Sequence, residues 1–299
     1  MQSLQDRAAV SEFPGGILRQ WSFPVLPFAC LLIVTFIYFR GWVLASRTRP
    51  QQLPSWRAFC FVGGIFSLWI AIASPIDALD DYLLTAHMVQ HFILMSIAPP
   101  LIVLSAPTVP MLRGLPRVLI RRVLRPLFAA RWFHGLLRFT AHPVVAWLAM
   151  NLAYLGWHTP AAFELTFQSE NWHDFEHLCF FGTSVMYWWR VLNPWPSRPR
   201  WPRWAVIPYL LSGDVVNTML SAFLAFCGRV LYSSYAAAPR ICRLTPLQDQ
   251  VAAGSEMWVL NSIVFLVPAF ILTMRMLAPR SLNAKEETGL HTRAKQVLL

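Results

Sequence analysis

The chain has 299 residues, of which 56% are hydrophobic and 14% aromatic, and only 13% are charged. About a quarter of the residues of a soluble domain carry charge, so this composition excludes an ordinary soluble protein. It predicts an all-α, polytopic membrane protein. The net charge of +11 must then be interpreted from where the basic residues lie between the membrane helices.

Seven stretches are apolar enough to be membrane helices, and a span needs about 20 such residues. The third begins at Tyr82, and we expect it to end near Pro99 and Pro100, because proline lacks a backbone donor and disfavours helix before it. The seven spans are predicted at residues 20–39, 58–76, 82–100, 142–158, 171–189, 204–226 and 257–274. Together they predict a seven-helix transmembrane domain over residues 20–277.

The basic residues predict the orientation of this domain. On alternating loops, 20 of the 25 basic residues fall on one side, in the groups 40–57, 113–138, 190–203 and 275–295. The positive-inside rule places that side in the cytoplasm. We therefore expect residues 1–19 to form an outer N-terminal segment and residues 278–299 to form a cytoplasmic tail.

The longest basic loop, residues 113–138, contains seven arginines among apolar residues. This pattern is typical of an amphipathic helix that lies on the inner leaflet. The partner that we expect for it is the lipid bilayer, and no nucleic acid.

Histidines and carboxylates gather on the opposite, outer side, although neither was used to orient the chain. His87 and His91 are four residues apart, so they share one face of the third span, about 6 Å apart along the helix axis. His173 and His177 repeat this spacing at the outer end of the fifth span, and His158 closes the fourth. Three spans thus bring five of the eight histidines to one face.

These five histidines are candidate metal ligands. A lone histidine near a membrane interface is more often a hydrogen-bonding residue, but two pairs and a fifth histidine on one face favour a metal site. Imidazole suits Zn, Cu, Fe and Ni, and the thioether of Met95 on the same face would favour Cu(I), although packing is the more frequent role of a methionine. We expect Asp174 and Glu176 to orient the imidazoles or attract the cation.

Other polar residues have two readings each. Asp214 lies within the sixth span, where an ionisable residue is either functional or a hydrogen-bond partner of a neighbouring helix. Asp249 and Glu256 lie near the outer end of the seventh span, where an acidic residue can also cap a helix. Cys227 and Cys242 both lie in or near an outer loop, and their separation permits a disulfide.

Several segments resemble the multi-spanning cytochrome c oxidase assembly factor CtaG. They are "HMVQHFILMSIAPPLIVLSAP", "WHTPAAFE", "NWHDFEHLCFFGTSVMYWW" and "PLQDQ" followed by "MW", and the resemblance extends over roughly residues 25–277. The family commonly has Gly-Gly before this Met-Trp, where the present chain has Ala253-Gly254-Ser255-Glu256. The resemblance implies a role in assembling the copper-containing centre of an oxidase in the bacterial plasma membrane. It also implies oxidase subunits, above all the copper-containing catalytic subunit, as partners, with a copper chaperone as a further candidate.

Three functions remain open from the sequence. The first is a non-enzymatic assembly factor that binds copper at its outer face, in the manner of a metallochaperone. The second is an intramembrane zinc hydrolase, in which Glu176 or Asp214 would act as general base. The third is a redox protein that binds haem or quinone. Copper, zinc or a haem absorption band in the purified protein would separate them.

Overall fold

The computed structural model describes residues 21, 23–197 and 201–278, and every regular element among them is a helix. The seven longest helices of this part are Val25–Ser46 (α1), Ser55–Ala73 (α2), Leu84–Leu104 (α3), Pro143–Trp157 (α4), Glu170–Leu192 (α5), Val206–Phe226 (α6) and Pro246–Leu277 (α7). The all-α prediction is therefore confirmed. Residues 1–19 and most of the tail, 279–299, lie outside the described residues.

Five of these helices, α1, α2, α3, α6 and α7, are long and apolar enough to cross a membrane. Helix α4 is apolar but has only 15 residues. Helix α5 has 23 residues and carries several charged side chains, including Glu176 and Arg190. The chain is thus a membrane protein. Length and composition alone do not identify α4 and α5 as membrane spans.

Short helices connect the long ones. They run Pro50–Gln52, Pro75–Asp80, Thr108–Gly114, Arg131–Thr140, Pro160–Gln168, Arg203–Ala205 and Ser233–Ala237. The basic loop is helical too, but it forms several pieces rather than one helix. A segment over 117–129 is separated from Arg131–Thr140 by the extended residue Ala130. Both pieces leave large apolar side chains exposed, such as Trp132 at 65%.

Helix α3 passes through Pro99 and Pro100, so the expected end of the third span at these prolines is wrong. A π-helical turn, Ile93–Ile97, precedes them, and the helix resumes as Ala98–Leu104. Pro99 cannot donate to the carbonyl of Met95, four residues earlier. The indole N–H of Trp188 donates to that carbonyl instead, at 3.1 Å. A donor from another helix therefore replaces the hydrogen bond that the proline removes.

Other boundaries also differ from expectation. Helix α1 begins at Val25 and continues to Ser46, beyond the expected end at residue 39. Helix α7 begins at Pro246, well before residue 257, because Thr245 and Gln248 form a reciprocal capping box there. The first turns of α7 contain polar residues, so a prediction based on apolar runs placed the start of the helix too late.

Helix α3 lies at the centre of the bundle, where it packs against α2, α5 and α7. Helix α6 packs along α7, and α4 packs along α5. The outer sides of the bundle expose large apolar residues, such as Phe36 of α1 at 68% and Phe270 of α7 at 62%. An apolar surface of this extent requires lipid around it.

Candidate metal centre

The five histidines come together at one end of the bundle, which we call the histidine end. His87 and His91 lie in the first turns of α3, His173 and His177 in the first turns of α5, and His158 directly follows α4. The ring centroids are 4.2 Å apart within the α3 pair and 4.1 Å apart within the α5 pair. Between helices, His87 lies 5.4 Å from His173, and His91 lies 5.6 Å from His177 and 5.9 Å from His158.

Two buried carboxylates lie among these rings. Glu176, fully buried on α5, places Oε2 3.7 Å from Nε2 of His87 and 3.6 Å from Nε2 of His91. Asp80, which ends the helix Pro75–Asp80, places Oδ2 3.5 Å from Nε2 of His173 and 3.9 Å from Nδ1 of His87. These separations are longer than good hydrogen bonds.

Many polar atoms of the cluster have no hydrogen-bond partner among the described residues. They are Oδ2 of Asp80, both carboxylate oxygens of Glu176, Nε2 of His87, both ring nitrogens of His91, and Nε2 of His158, His173 and His177. Buried polar groups are normally paired, so such a concentration needs an explanation. Imidazole nitrogens and carboxylate oxygens are also the ligands that divalent copper and zinc take in proteins. The donor set therefore fits a metal ion.

His158 is held in the form that a ligand requires. Its Nδ1 lies 2.7 Å from the carbonyl oxygen of Tyr154, one turn earlier in the chain. A carbonyl oxygen only accepts, so Nδ1 carries the proton, and in the neutral ring Nε2 carries the lone pair. This arrangement is the one that orients metal-binding histidines, because the second ring nitrogen fixes the tautomer.

Aromatic side chains close the histidine end. Phe163 packs against His87 and Tyr232, with ring centroids 5.1 and 4.0 Å away, and Phe180 packs 4.5 Å from His91. The hydroxyl of Tyr235 donates to the carbonyl of Asp80 at 2.5 Å. Burial, and then the nearby acidic residues, raise the pKa of Tyr235 well above its ordinary value, so the hydroxyl remains a donor. The short helices Pro160–Gln168 and Ser233–Ala237 thus cover the cluster.

Asp249 fixes the start of α3 rather than that of its own helix. Its carboxylate accepts hydrogen bonds from the backbone N–H groups of Leu84 and Thr85, at 2.8 and 3.2 Å, and from the Thr85 hydroxyl at 2.6 Å. A carboxylate at a helix N-terminus satisfies unpaired donors and interacts favourably with the helix dipole. Asp249 was considered as a cap of its own helix, but Thr245 and Gln248 cap α7, and Asp249 instead caps the helix that carries His87 and His91.

Three other predicted site residues have different surroundings. Asp174 is exposed on α5, unlike Glu176. Met95 lines a cavity that Asn217 of α6 also lines, and its expected role as a thioether neighbour of the histidines stays a prediction. Asp214 accepts a hydrogen bond from Ser262 of α7 at 2.8 Å, which is the structural role that we considered for it.

Two further sequence features have a structural outcome. Cys227 and Cys242 are both free, so they do not form a disulfide. Glu256 is partly buried on α7, and its carboxylate has no hydrogen-bond partner in the described part of the chain.

The sequence reading missed Asp80 as a member of the cluster. Residues 81–83 interrupt the helix between Asp80 and His87, so helical spacing could not place the two together. The sequence signal for this pairing was the short separation between Asp80 and His87 along the chain.

These features define a helical membrane protein with a buried cluster of histidines and carboxylates at one end of the bundle. A family model described as cytochrome c oxidase caa3 assembly factor (Caa3_CtaG) matches residues 36–278, and the chain therefore belongs to this family. The resemblance drawn from the histidine motifs is confirmed by this match. Comparison with curated proteins and with solved structures gave no match.

Proposed function

We propose that this protein binds copper at the outer face of the bacterial plasma membrane and supplies it during assembly of a haem-copper oxidase. One observation supports the proposal most. In a chain of an oxidase assembly family, His87, His91 and His173 place ring nitrogens 3.5–3.9 Å from two buried carboxylates. His158 and His177 add unpaired Nε2 atoms to the same cluster. Copper is here a cargo, and the residues of the chain hold it until it passes to the oxidase.

The donor set favours a divalent ion. Imidazole and carboxylate suit Cu(II), and the general order of affinity places Cu(II) above Zn(II), Ni(II) and Fe(II). A soft thioether such as that of Met95 would favour Cu(I) instead. His158 and the two histidine pairs supply the imidazoles, while Asp80 and Glu176 offset the charge of the ion.

The proposed orientation places all seven long helices across the membrane, with the N-terminus outside and the C-terminus in the cytoplasm. Arg113, Arg203 and Arg275 lie near the helix ends away from the histidines, as expected for the cytoplasmic side. Charged side chains make α5 less apolar, and one of them, Glu176, belongs to the histidine cluster. A functional role for these charges explains why α5 is less apolar than the other spans.

The proposed partners follow from this role. We expect the copper-containing catalytic subunit of the oxidase to receive the ion, and a copper chaperone to deliver it to the histidine end. The lipid bilayer contacts the exposed apolar helices and the basic segment 113–140. The role that we propose is non-catalytic, as the description of the family as an assembly factor suggests.

An intramembrane zinc hydrolase is the second candidate, because Glu176 lies beside two imidazoles in the manner of a general base. Hydrolysis needs that carboxylate to contact a metal-bound water and a substrate, whereas Glu176 is fully buried between His87 and His91. Haem fits less well, since neighbouring rings of the cluster lie 4.1–5.9 Å apart, which is too close for a flat macrocycle to enter between them.

Oxidase maturation in cells tests the proposed function. A strain that lacks the endogenous factor would produce either the wild type or the His87→Ala/His91→Ala variant. We expect the variant strain to contain normal amounts of oxidase polypeptide with reduced copper and at least tenfold lower turnover, partly restored by added copper. The control is His134→Ala/His142→Ala, which removes two exposed histidines outside the cluster. Normal oxidase copper in the His87→Ala/His91→Ala strain would contradict the proposal.

A further inference from the structure

His87 belongs to two separate groups of donors. Through Nδ1 it faces Asp80 Oδ2, and through Nε2 it faces Glu176 Oε2. The first group is completed by His173, and the second by His91. Within each group of three residues, one donor atom from each lies within 4.8 Å of the others.

The dimensions of each group suit one ion. Ligand atoms bound at about 2.0–2.2 Å from a tetrahedral metal lie about 3.3–3.6 Å from one another. The separations of 3.5 and 3.9 Å around Asp80, and of 3.6 and 3.7 Å around Glu176, are close to this range. Only small side-chain movements are needed to close either group on an ion.

One ion cannot serve both groups. The two lone-pair directions of an imidazole ring point away from each other, so a metal bound at Nδ1 of His87 is out of reach of Nε2. Glu176 and Asp80 lie on these two different sides of the ring. Either one of the two groups binds a metal ion, or both do and His87 is a ligand of two ions.

We propose that the histidine end is a dinuclear metal site bridged by His87. The outer position is formed by Asp80, His87 Nδ1 and His173 Nε2, and the inner position by His87 Nε2, His91 Nε2 and Glu176. This inference rests on the proposed copper-binding function and extends it by a second ion and by two carboxylate ligands.

The proton and charge balance of the site favours divalent ions. A neutral imidazole has one lone pair, so binding at both nitrogens releases the remaining ring proton of His87 to solvent and leaves an imidazolate. Two carboxylates and one imidazolate then offset most of the charge of two divalent cations. This matters because burying uncompensated charge is costly.

The remaining histidines can complete the two positions. His158 presents Nε2 and lies beside His91, so it is placed to join the inner position. His177 lies between His173 and His91. The His173 side chain is 22% exposed, whereas the His91 side chain is 4% exposed, so an arriving ion reaches the outer position first.

Copper stoichiometry and magnetic coupling test the bridge. The purified full-length chain would be saturated with Cu(II), and copper per chain and the electron paramagnetic resonance signal would both be measured. We expect two copper ions per wild-type chain, with a signal well below that of two isolated ions, since imidazolate couples their spins. Asp80→Asn and Glu176→Gln should each retain one copper ion that gives its full signal.

The controls are Asp81→Asn and Glu170→Gln, which make the same changes at exposed positions beside or on the same helices. His173→Gln removes a second ligand of the outer position, so it must reproduce the result of Asp80→Asn if that variant fails to fold. One copper ion per wild-type chain, lost equally from both carboxylate variants, would overturn the dinuclear site and leave the copper-binding function intact. Two ions with full, uncoupled signal would overturn the bridge, and no copper would overturn both proposals.

Discussion

At the scale of single residues, the cluster depends on side chains that hold its ligands in place. Asp249 is one of them, since its carboxylate accepts three hydrogen bonds at the start of α3. Hydrogen bonds to a buried charged group are stronger than neutral ones and costly to lose. The first turns of α3, and with them His87 and His91, are therefore positioned by a residue of α7.

Asp249→Asn should destabilise the protein by about 1–2 kcal/mol, because the amide keeps the size of the carboxylate but loses its charge and one acceptor. Thermal unfolding in detergent would measure the change, with Asp174→Asn as the matched control at an exposed position. We also expect weaker copper binding, since the α3 ligands lose their fixed position. Equal melting temperatures for Asp249→Asn and the control would contradict the capping role.

At the scale of elements, features that depend on one helix could be predicted from the sequence, whereas contacts between distant residues could not. The i, i+4 spacing of His87 and His91 follows from one helix alone, and the structure places both rings on the face that meets α5. The passage of α3 through Pro99 was unpredictable, because it depends on a donor from Trp188 that lies 93 residues away from Met95. The capping of α3 by Asp249 similarly joins residues 165 positions apart.

The contact between α6 and α7 gives a test at this scale. A Cβ atom added to Gly254 would lie 2.8 Å from the carbonyl oxygen of Ser221 and 2.8 Å from the backbone nitrogen of Ala225. Backbone atoms of a packed helix cannot move aside easily, so Gly254→Ala should cost roughly 1–3 kcal/mol of stability.

The matched control is Gly182→Ala on α5, where an added Cβ meets nothing within 4 Å. Alanine is favoured over glycine within a helix by roughly 0.5–1 kcal/mol, so this variant should be neutral or stabilised. Melting temperatures of both purified variants would give the comparison. A Gly254→Ala protein as stable as Gly182→Ala would show that α6 and α7 are packed less closely.

At the scale of the whole molecule, the sequence predicted an all-α membrane protein and the family to which it belongs, both of which are confirmed. It also indicated which helices carry the histidines. It could not place Asp80 in the cluster, because this outcome depends on how the elements of the bundle pack against one another. A pattern of apolar residues gives the period of a helix but not the packing of a bundle.

The orientation of the molecule remains a prediction from its arginines. Reporter fusions after Thr159 and after Ser197 should report opposite sides of the membrane, the first outside and the second in the cytoplasm. These two positions flank α5, so the pair also tests whether this charged helix crosses the bilayer. Identical locations for the two reporters would contradict both the crossing of α5 and the outer position of the histidine end.

Copper content of the purified protein tests the central claim most directly. Wild-type protein and a variant with alanine at His87, His91, His173 and His177 would be incubated with Cu(II) and with Zn(II), freed of excess metal and analysed for both elements. We predict that the wild type retains copper in preference to zinc, and that the quadruple variant loses almost all of it while remaining folded. Equal copper in the two proteins would contradict a metal centre at the histidine end.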